Sequence, residues 1–380
     1  MNIGVVLERQ HSERRVALTP PVARKLVESG NAVWVEKGAG ERAMFRDDEY
    51  IGAGARIAYS QAEVIRRSQL VPKVAVPTPD EAALFQHGTT VMAFYHLAVK
   101  SRNLVERLIE RSITAIGYEV IESDQGRLPV LAAISEIAGQ MSISVAAQLL
   151  RSTSGGRGIW LGGSPGLEPA HVVILGAGSL GTSAARTAAA AGARVTVLDI
   201  DEEKLSRVSA ELPQAATGLA DEESIAAAAA SADVLIGAVL VTGRRAPHLV
   251  TRRMVESMQR GSVIIDASID QGGCVETSRP MTLADPPYLY HGVVHYAVPN
   301  MTADMSRSAS MALAQALFPY LRHIAAHGVQ AALATSATTP ASSGPTSARR
   351  CRRGAPITSP SSFTRSKSCS AAASCPSTWR

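Results

Sequence analysis

Through the first 330 residues, short apolar runs alternate with amphipathic stretches. The runs 3–7, 32–36, 70–76, 90–95 and 114–118 have strand length and little polar interruption, as expected of strands covered on both faces. Thr19 followed by Pro20 and Pro21 suits a helix start, because proline fits the first turn without wasting a donor. That helix carries Val22, Leu26 and Val27 on one side and stops at Gly30, a left-handed cap. Residues 101–113 place Leu104, Leu108 and Ile109 at helical spacing. A long helix is predicted over 134–151, then a glycine-rich stretch at 154–166. A second series follows, with strands at 172–175, 194–198, 234–238 and 263–266 and a closing helix at 307–323. Repeated β-α alternation predicts an α/β protein with two doubly wound domains, each with a mainly parallel sheet. The predicted division is 1–130 plus 306–334 for one domain and 131–305 for the other, with no internal repeat beyond the likeness of the two series.

After about residue 333 the pattern stops. Residues 335–380 are dominated by Ser, Ala, Thr, Pro and Arg. Such a composition predicts either a disordered tail or the out-of-frame translation of a GC-rich gene. This changes the meaning of the charge. The 380-residue chain is formally +5, with pI near 9.1, which invites a nucleic-acid partner. The tail holds seven basic residues (Arg349, Arg350, Arg352, Arg353, Arg365, Lys367 and Arg380) and no acid, so +5 for the whole becomes −2 for the first 334 residues. No specific nucleic-acid partner is therefore expected, and 4% aromatic residues is thin for stacking on bases. Three of the four cysteines also lie in the tail. The body keeps only Cys274, so no disulfide framework and no metal site are expected. The start lacks the build of a signal peptide, and no uninterrupted apolar run reaches the roughly 18 residues of a membrane span. A soluble cytoplasmic protein is the expectation.

The second series carries recognisable chemistry. The apolar strand 172–175 runs into Gly176-Ala177-Gly178-Ser179-Leu180-Gly181 and then an alanine-rich helix. Gly176 permits the tight turn, Gly178 lets a pyrophosphate approach, and Gly181 lets helix and strand pack closely. The helix start adds free N–H groups and a positive dipole end. The next strand ends at Asp199, 23 residues after Gly176, near the spacing of about 20 for a ribose-binding acid. That acid favours NAD over NADP, making 131–305 a Rossmann NAD-binding domain.

In the first series, Arg15 lies in the loop after the first strand and His96 ends the strand 90–95. Both sit beyond carboxyl ends of strands, where open α/β sheets bind ligands. Arginine can clamp a carboxylate, and histidine can move a proton near neutral pH. Asp270 follows the strand 263–266 in the second series. Spacing alone leaves each with an ordinary alternative: a solvated loop arginine, a structural histidine, a turn aspartate.

The ordered motifs of this chain resemble the alanine dehydrogenase family, within the superfamily that includes the transhydrogenase alpha subunit. They are Glu13-Arg14-Arg15-Val16-Ala17-Leu18-Thr19-Pro20, Gly38-Ala39-Gly40, His96-Leu97-Ala98, Tyr118-Glu119 and Ser135-Glu136-Ile137-Ala138-Gly139. Gly155-Gly156-Arg157-Gly158, Gly176 to Gly181, Gly237-Ala238-Val239-Leu240-Val241, Asp266 to Cys274 and Val298-Pro299-Asn300-Met301 complete the series. The resemblance covers about 1–330; the family has an ordered C-terminal segment where this chain has its tail. It implies NAD-dependent interconversion of an L-amino acid with a 2-oxo acid and ammonia. Arg15 would then hold the substrate carboxylate, with Asn300 as a further substrate-binding candidate; Lys73, at the position of the family's first lysine, would either reach the substrate or keep that lysine's structural role. His96 would be the acid/base at the carbinolamine oxygen, and Asp270 would activate water or ammonia. Ser135, Val239, Leu240, Asp270 and Asn300 would lie about the nicotinamide, and Gly176, Gly178, Ser179, Leu180, Gly181 and Asp199 about the rest of NAD. A homo-oligomer, hexamer or dimer, is also implied.

Two departures stand out. The family's Lys-x-Lys-Glu-Pro, whose second lysine polarises the substrate carbonyl, reads Lys73-Val74-Ala75-Val76-Pro77 here. The family's Asn-Met-Pro-Gly-Ala-Val-Pro-Arg reads Asn300-Met301-Thr302-Ala303-Asp304-Met305-Ser306-Arg307. If Asp304 faces the pocket, one lysine lost and one aspartate gained predict an altered substrate, carrying an extra amine or lacking the usual oxo-acid charge; the ordinary alternative is that Asp304 caps the helix that follows. The alternatives are a catalytically silent NAD-binding homologue acting as sensor or scaffold, and a transhydrogenase subunit, against which His96 and the lack of membrane segments count.

Overall fold

In a computed structural model of the protein, residues 1–10, 12–96, 102–123 and 125–334 are described; the basic tail 335–380 lies outside the described residues. The first sheet contains β1 (Asn2–Val5), β2 (Ala32–Glu36), β3 (Arg56–Ala58), β4 (Leu70–Ala75), β5 (Thr90–Phe94) and β6 (Thr114–Gly117), all parallel, in the order β3-β2-β1-β4-β5-β6. The order reverses between β1 and β4, which opens a crevice beyond their carboxyl ends. The loop after β1 carries Arg15, and His96 follows β5. The helix α1 (Pro20–Glu28) begins with proline in its first turn, and Gly30 takes φ +82° just beyond its end.

The second sheet contains β7 (His171–Leu175), β8 (Arg194–Asp199), β9 (Ala216–Leu219), β10 (Val234–Gly237), β11 (Val263–Asp266), β12 (Tyr288–Tyr290) and β13 (Val293–Tyr296), in the order β12-β13-β11-β10-β7-β8-β9. Its strands are parallel except the edge pair β12 and β13, which is antiparallel. Here the reversal falls between β7 and β10, beside the glycine-rich turn. The architecture is the α/β, doubly wound arrangement the sequence pattern predicts. The strands absent from the expectation are β3, β9, β12 and β13. Each spans three or four residues, too few for a period-two pattern, and β9 and β12 have no fully buried residue.

Two long helices join the sheets. The first, running from Pro129 to Leu149, begins earlier than predicted, because Pro129 supplies the first-turn proline. Its Val130 and Ile134 belong to the core of the first sheet, Ala138 and Met141 to a small cluster with Met301, and Ile143, Ala146 and Leu149 to the core of the second. By length and composition it could cross a membrane. Serving two cores in succession explains the same apolar character without a bilayer. The second long helix, Ser306–His327, continues through Pro319 and returns Leu313, Leu317 and Leu321 to the first core.

Gly139 marks the closest approach of Pro129–Leu149 to the helix Ser179–Ala190 that follows the glycine turn. A Cβ there would run into the Leu180 carbonyl oxygen and lie 2.8 Å from the Ala184 amide nitrogen. Gly139→Val should therefore cost about 1–3 kcal/mol in denaturant unfolding and weaken NAD binding by displacing the phosphate-binding helix. The control Gly52→Ala, where nothing lies within 4 Å, should stay within about 0.5 kcal/mol of the parent.

Candidate active site

At the reversal of the second sheet, Gly176 adopts φ +109°, and a Cβ on it would lie 2.5 Å from the Ala238 carbonyl oxygen. The β7 and β10 backbones thus meet too closely for a side chain. A Cβ at Gly181 would strike the Gly176 carbonyl oxygen, so the helix Ser179–Ala190 can begin against the turn only with glycine there. Gly178, in contrast, faces open space, with nothing within 4 Å of its Cβ position. It also caps the helix without a side-chain acceptor. The N–H groups of the first turn, beginning at exposed Ser179 and half-buried Leu180, are therefore available to an anion. Asp199 ends β8 beside this turn. Its Oδ2 accepts from the Ala177 N–H at 2.6 Å and its Oδ1 from the Asp201 N–H at 2.9 Å. The cap of the next helix, Glu202–Glu211, is Asp201 rather than Asp199. A carboxylate so fixed retains acceptor capacity for ribose hydroxyls. The residues present fit a dinucleotide: an open glycine, a free helix start and an oriented acid.

Val239 and Leu240 follow β10 at the same mouth; the Val239 N–H donates to Ser268 Oγ at 2.9 Å, and Leu240 is exposed. Ser135 lies half-buried on the helix that links the two cores. Beyond β11, Asp266 organises the loop that carries Asp270. Its carboxylate accepts from the N–H groups of Ser268, Cys274 and Val275, each at 3.1 Å. Burial raises the Asp266 carboxyl above its ordinary value despite these bonds. Cys274 is no nucleophile: burial, then Asp266, pushes its thiol well above the usual range. Asp270 in turn accepts from the Asn300 N–H at 3.2 Å, and Asn300 holds a left-handed φ of +55°.

The first sheet brings Arg15 and His96 to this cluster. Arg15 is 2% exposed, which for a guanidinium demands compensation. Glu13 grips it in a two-point bond, Nε to Oε1 at 2.8 Å and Nη2 to Oε2 at 2.7 Å, and Nη1 donates to Thr302 Oγ1 at 2.9 Å. Burial pulls the guanidinium down, but Glu13, then Asp270 and Glu8, hold it above its ordinary value. Three of its five donors are thus engaged, and two remain for a ligand. His96 takes φ +47°, strained for a residue with a side chain. The Glu119 carboxylate holds that turn, accepting from the N–H groups of Tyr95 at 3.3 Å and His96 at 2.7 Å. The His96 ring stacks on Phe94 and meets Gln271 Nε2 at 2.9 Å through Nδ1.

Lys73 is not brought there. Its Nζ bonds Glu8 Oε2 and Glu81 Oε1, each at 3.0 Å, with its side chain fully buried. Burial lowers the ammonium, but the two carboxylates more than offset this. Of the two readings of Lys73, this geometry favours the structural one, with the ammonium enclosed between two acids. Asp304 also differs from the charge expectation. It is exposed, and the following helix has no side-chain cap, so it neither buries a charge nor caps the helix. It faces Tyr296, whose hydroxyl burial, and then Asp304, push up to about 12.

Four residues in contact with these groups lie outside the candidates drawn from sequence: Glu13, Glu119, Gln271 and Thr302. The first three stand inside the motifs already quoted, next to Arg15, Tyr118 and Asp270. Thr302 stands where the family pattern has proline, and its Arg15 contact spans 287 positions, beyond the reach of local pattern.

The chain matches the family models described as "Alanine dehydrogenase/PNT, N-terminal domain" over residues 4–138 and "Alanine dehydrogenase/PNT, C-terminal domain" over 142–342. It is 42% identical to an alanine dehydrogenase of Methanococcus maripaludis over 335 residues, covering 88% of this chain and 90% of that protein. It is 40% identical to an alanine dehydrogenase of Mycobacterium tuberculosis, covering 87% and 90%. Among solved structures, an L-alanine dehydrogenase superposes with TM-score 0.82 at 43% identity, covering 88% of this chain and 92% of that one. A transhydrogenase from Sinorhizobium meliloti gives 0.74 at 26%, covering 85% and 94%. With both domains matched in order and the two-sheet fold shared, this chain belongs to the alanine dehydrogenase/PNT family.

Proposed function

We propose that this protein interconverts a small L-amino acid with its 2-oxo acid and ammonia, acting at the CH–NH2 carbon, with a substrate preference shifted toward a cationic side chain. The family consists of NAD(H)-dependent enzymes, and the open glycine turn with Asp199 supports NAD here. The observation that carries the reading is the convergence of Arg15 and His96 from the first sheet on Asp270 and Asn300 from the second, joined by the 2.9 Å Arg15–Thr302 and His96–Gln271 contacts. On this reading 1–130 with 306–334 forms the substrate domain and 131–305 the dinucleotide domain. The protein acts in the cytoplasm as a homo-oligomer, hexamer or dimer, which would cover exposed Trp160 and Leu289.

Bound NAD supplies the hydride acceptor. The remaining work falls to the chain. Arg15, its plane fixed by Glu13, offers two donors to the substrate carboxylate. Asp270, oriented by the Asn300 N–H, accepts a proton from the water or ammonia that attacks the substrate carbon. His96 holds and moves the proton at the carbinolamine oxygen. The long helices that join the sheets exclude water from behind.

The shifted preference follows from charge. Among the described residues, three carboxylates (Glu8, Glu13 and Glu81) stand against two cations (Arg15 and Lys73), and Ala75 adds none. The Tyr118 hydroxyl is buried with no hydrogen-bond partner among the described residues, and Glu8 is the foremost acid acting on it. A substrate amine in this region would offset the excess acid.

NADH oxidation should be measured with oxo acids bearing neutral or amino-terminated side chains, plus ammonium. The amino-terminated class should turn over faster, and Ala75→Lys should reverse the order. Equal use of pyruvate by the parent would refute the shift. No single-turnover oxidation with any oxo acid, despite intact NAD binding, would favour the silent homologue. His96→Ala should lower kcat by about 10²–10⁴-fold. Lys73→Met should instead act on stability, losing about 3–5 kcal/mol in urea unfolding by leaving Glu8 and Glu81 unpaired.

A further inference from the structure

We infer that Gln271 is a positioning residue that fixes which ring nitrogen of His96 carries the proton, and thereby ties proton transfer to the joined state of the two domains. The inference rests on the reading of His96 as the acid/base group. Gln271 lies at the end of the 3-10 turn Ala267–Gln271 after β11, 5% exposed, in the second domain. Its Nε2 lies 2.9 Å from Nδ1 of His96, which belongs to the first domain, 175 positions away. An amide nitrogen can only donate, so Nδ1 must accept. A neutral imidazole has one donor and one acceptor, so its proton then resides on Nε2, the nitrogen left to face a substrate oxygen.

The other contacts of His96 do not set this choice. Glu119 holds its backbone through the Tyr95 and His96 N–H groups, and Phe94 stacks against its ring face. Neither touches a ring nitrogen. Of the neighbouring acids, Glu119 accepts from those two N–H groups and Asp270 accepts from the Asn300 N–H. The Gln271 backbone is anchored from its own domain, because its main-chain carbonyl accepts from the Ala246 N–H at 2.9 Å and its turn is closed by Gly272 at φ +101°. With its amide nitrogen toward the ring, glutamine favours the proton on Nε2. Leucine offers Nδ1 no partner, and an ionised glutamate, which only accepts, favours the proton on Nδ1. A separation of the domains would break the contact and free the ring.

The test uses full-length Gln271→Leu and Gln271→Glu beside the parent, with His96→Ala to assign the signal. Magic-angle-spinning ¹⁵N NMR of histidine-labelled enzyme saturated with NAD should place the parent's ring proton on Nε2, and Gln271→Glu should move it to Nδ1. Both substitutions should lower kcat about 10–100-fold while the KM values for amino acid and NAD stay within about twofold. A purely structural glutamine would be rescued by the isosteric glutamate. A parent proton on Nδ1, or kcat within about twofold of the parent in both variants, would overturn the inference. Should Gln271→Leu fail to fold, the parent spectrum and Gln271→Glu decide alone. Retained turnover in His96→Ala would instead overturn the catalytic reading of His96, an outcome distinct from the failure of the glutamine's role.

Discussion

The helix Pro129–Leu149 is the constraint on which the site depends. It must be apolar on one side for the first core, then on another for the second, with Gly139 allowing the phosphate-binding helix to lie directly against it. This shared packing brings two independently wound sheets mouth to mouth. Each sheet reverses its strand order at one place, and each reversal opens a crevice. The groups assigned to the reaction under the proposed function come from both crevices, so a shift of either core would move half the candidate site relative to the other.

Electrostatics then decides what the junction can hold. Arg15 is buried, and its charge is tolerable because Glu13 neutralises it in a planar grip and Thr302 takes a third donor. Lys73 is tolerable for a similar reason, but its two carboxylates enclose it, so its charge is spent on the fold. With alanine at 75, the charge of the family's second lysine is absent, and Tyr118 keeps a buried hydroxyl with no hydrogen-bond partner among the described residues. The local charge question therefore reduces to one position, since Asp304 is exposed.

Much of this was legible from the chain alone. The glycine turn, Asp199, and the apolar strands on either side follow from local rules of turn geometry and burial. The two-sheet α/β plan follows from alternation. The short strands at or next to sheet edges, β3, β9, β12 and β13, carry too little periodicity to be read. The sequence left Lys73 open between substrate and structure, because a local motif does not name its partners: Glu8 and Glu81 reach it from 65 positions before and 8 after. Gln271 and Thr302 belong to the same class. Each acts on a residue in the other half of the chain, and only the packing of the two cores makes them neighbours.

The central claim is that this junction moves a hydride from the α-carbon of an amino acid to NAD. Deuterium at C2 of L-alanine and of L-2,4-diaminobutyrate would follow that atom directly, with mass spectrometry of the nicotinamide and a count of ammonia released. Transfer of the label to NAD with one ammonia per deuteride, faster from the diamino acid, is the predicted result. Intact NAD binding with no label transferred from either amino acid would contradict it.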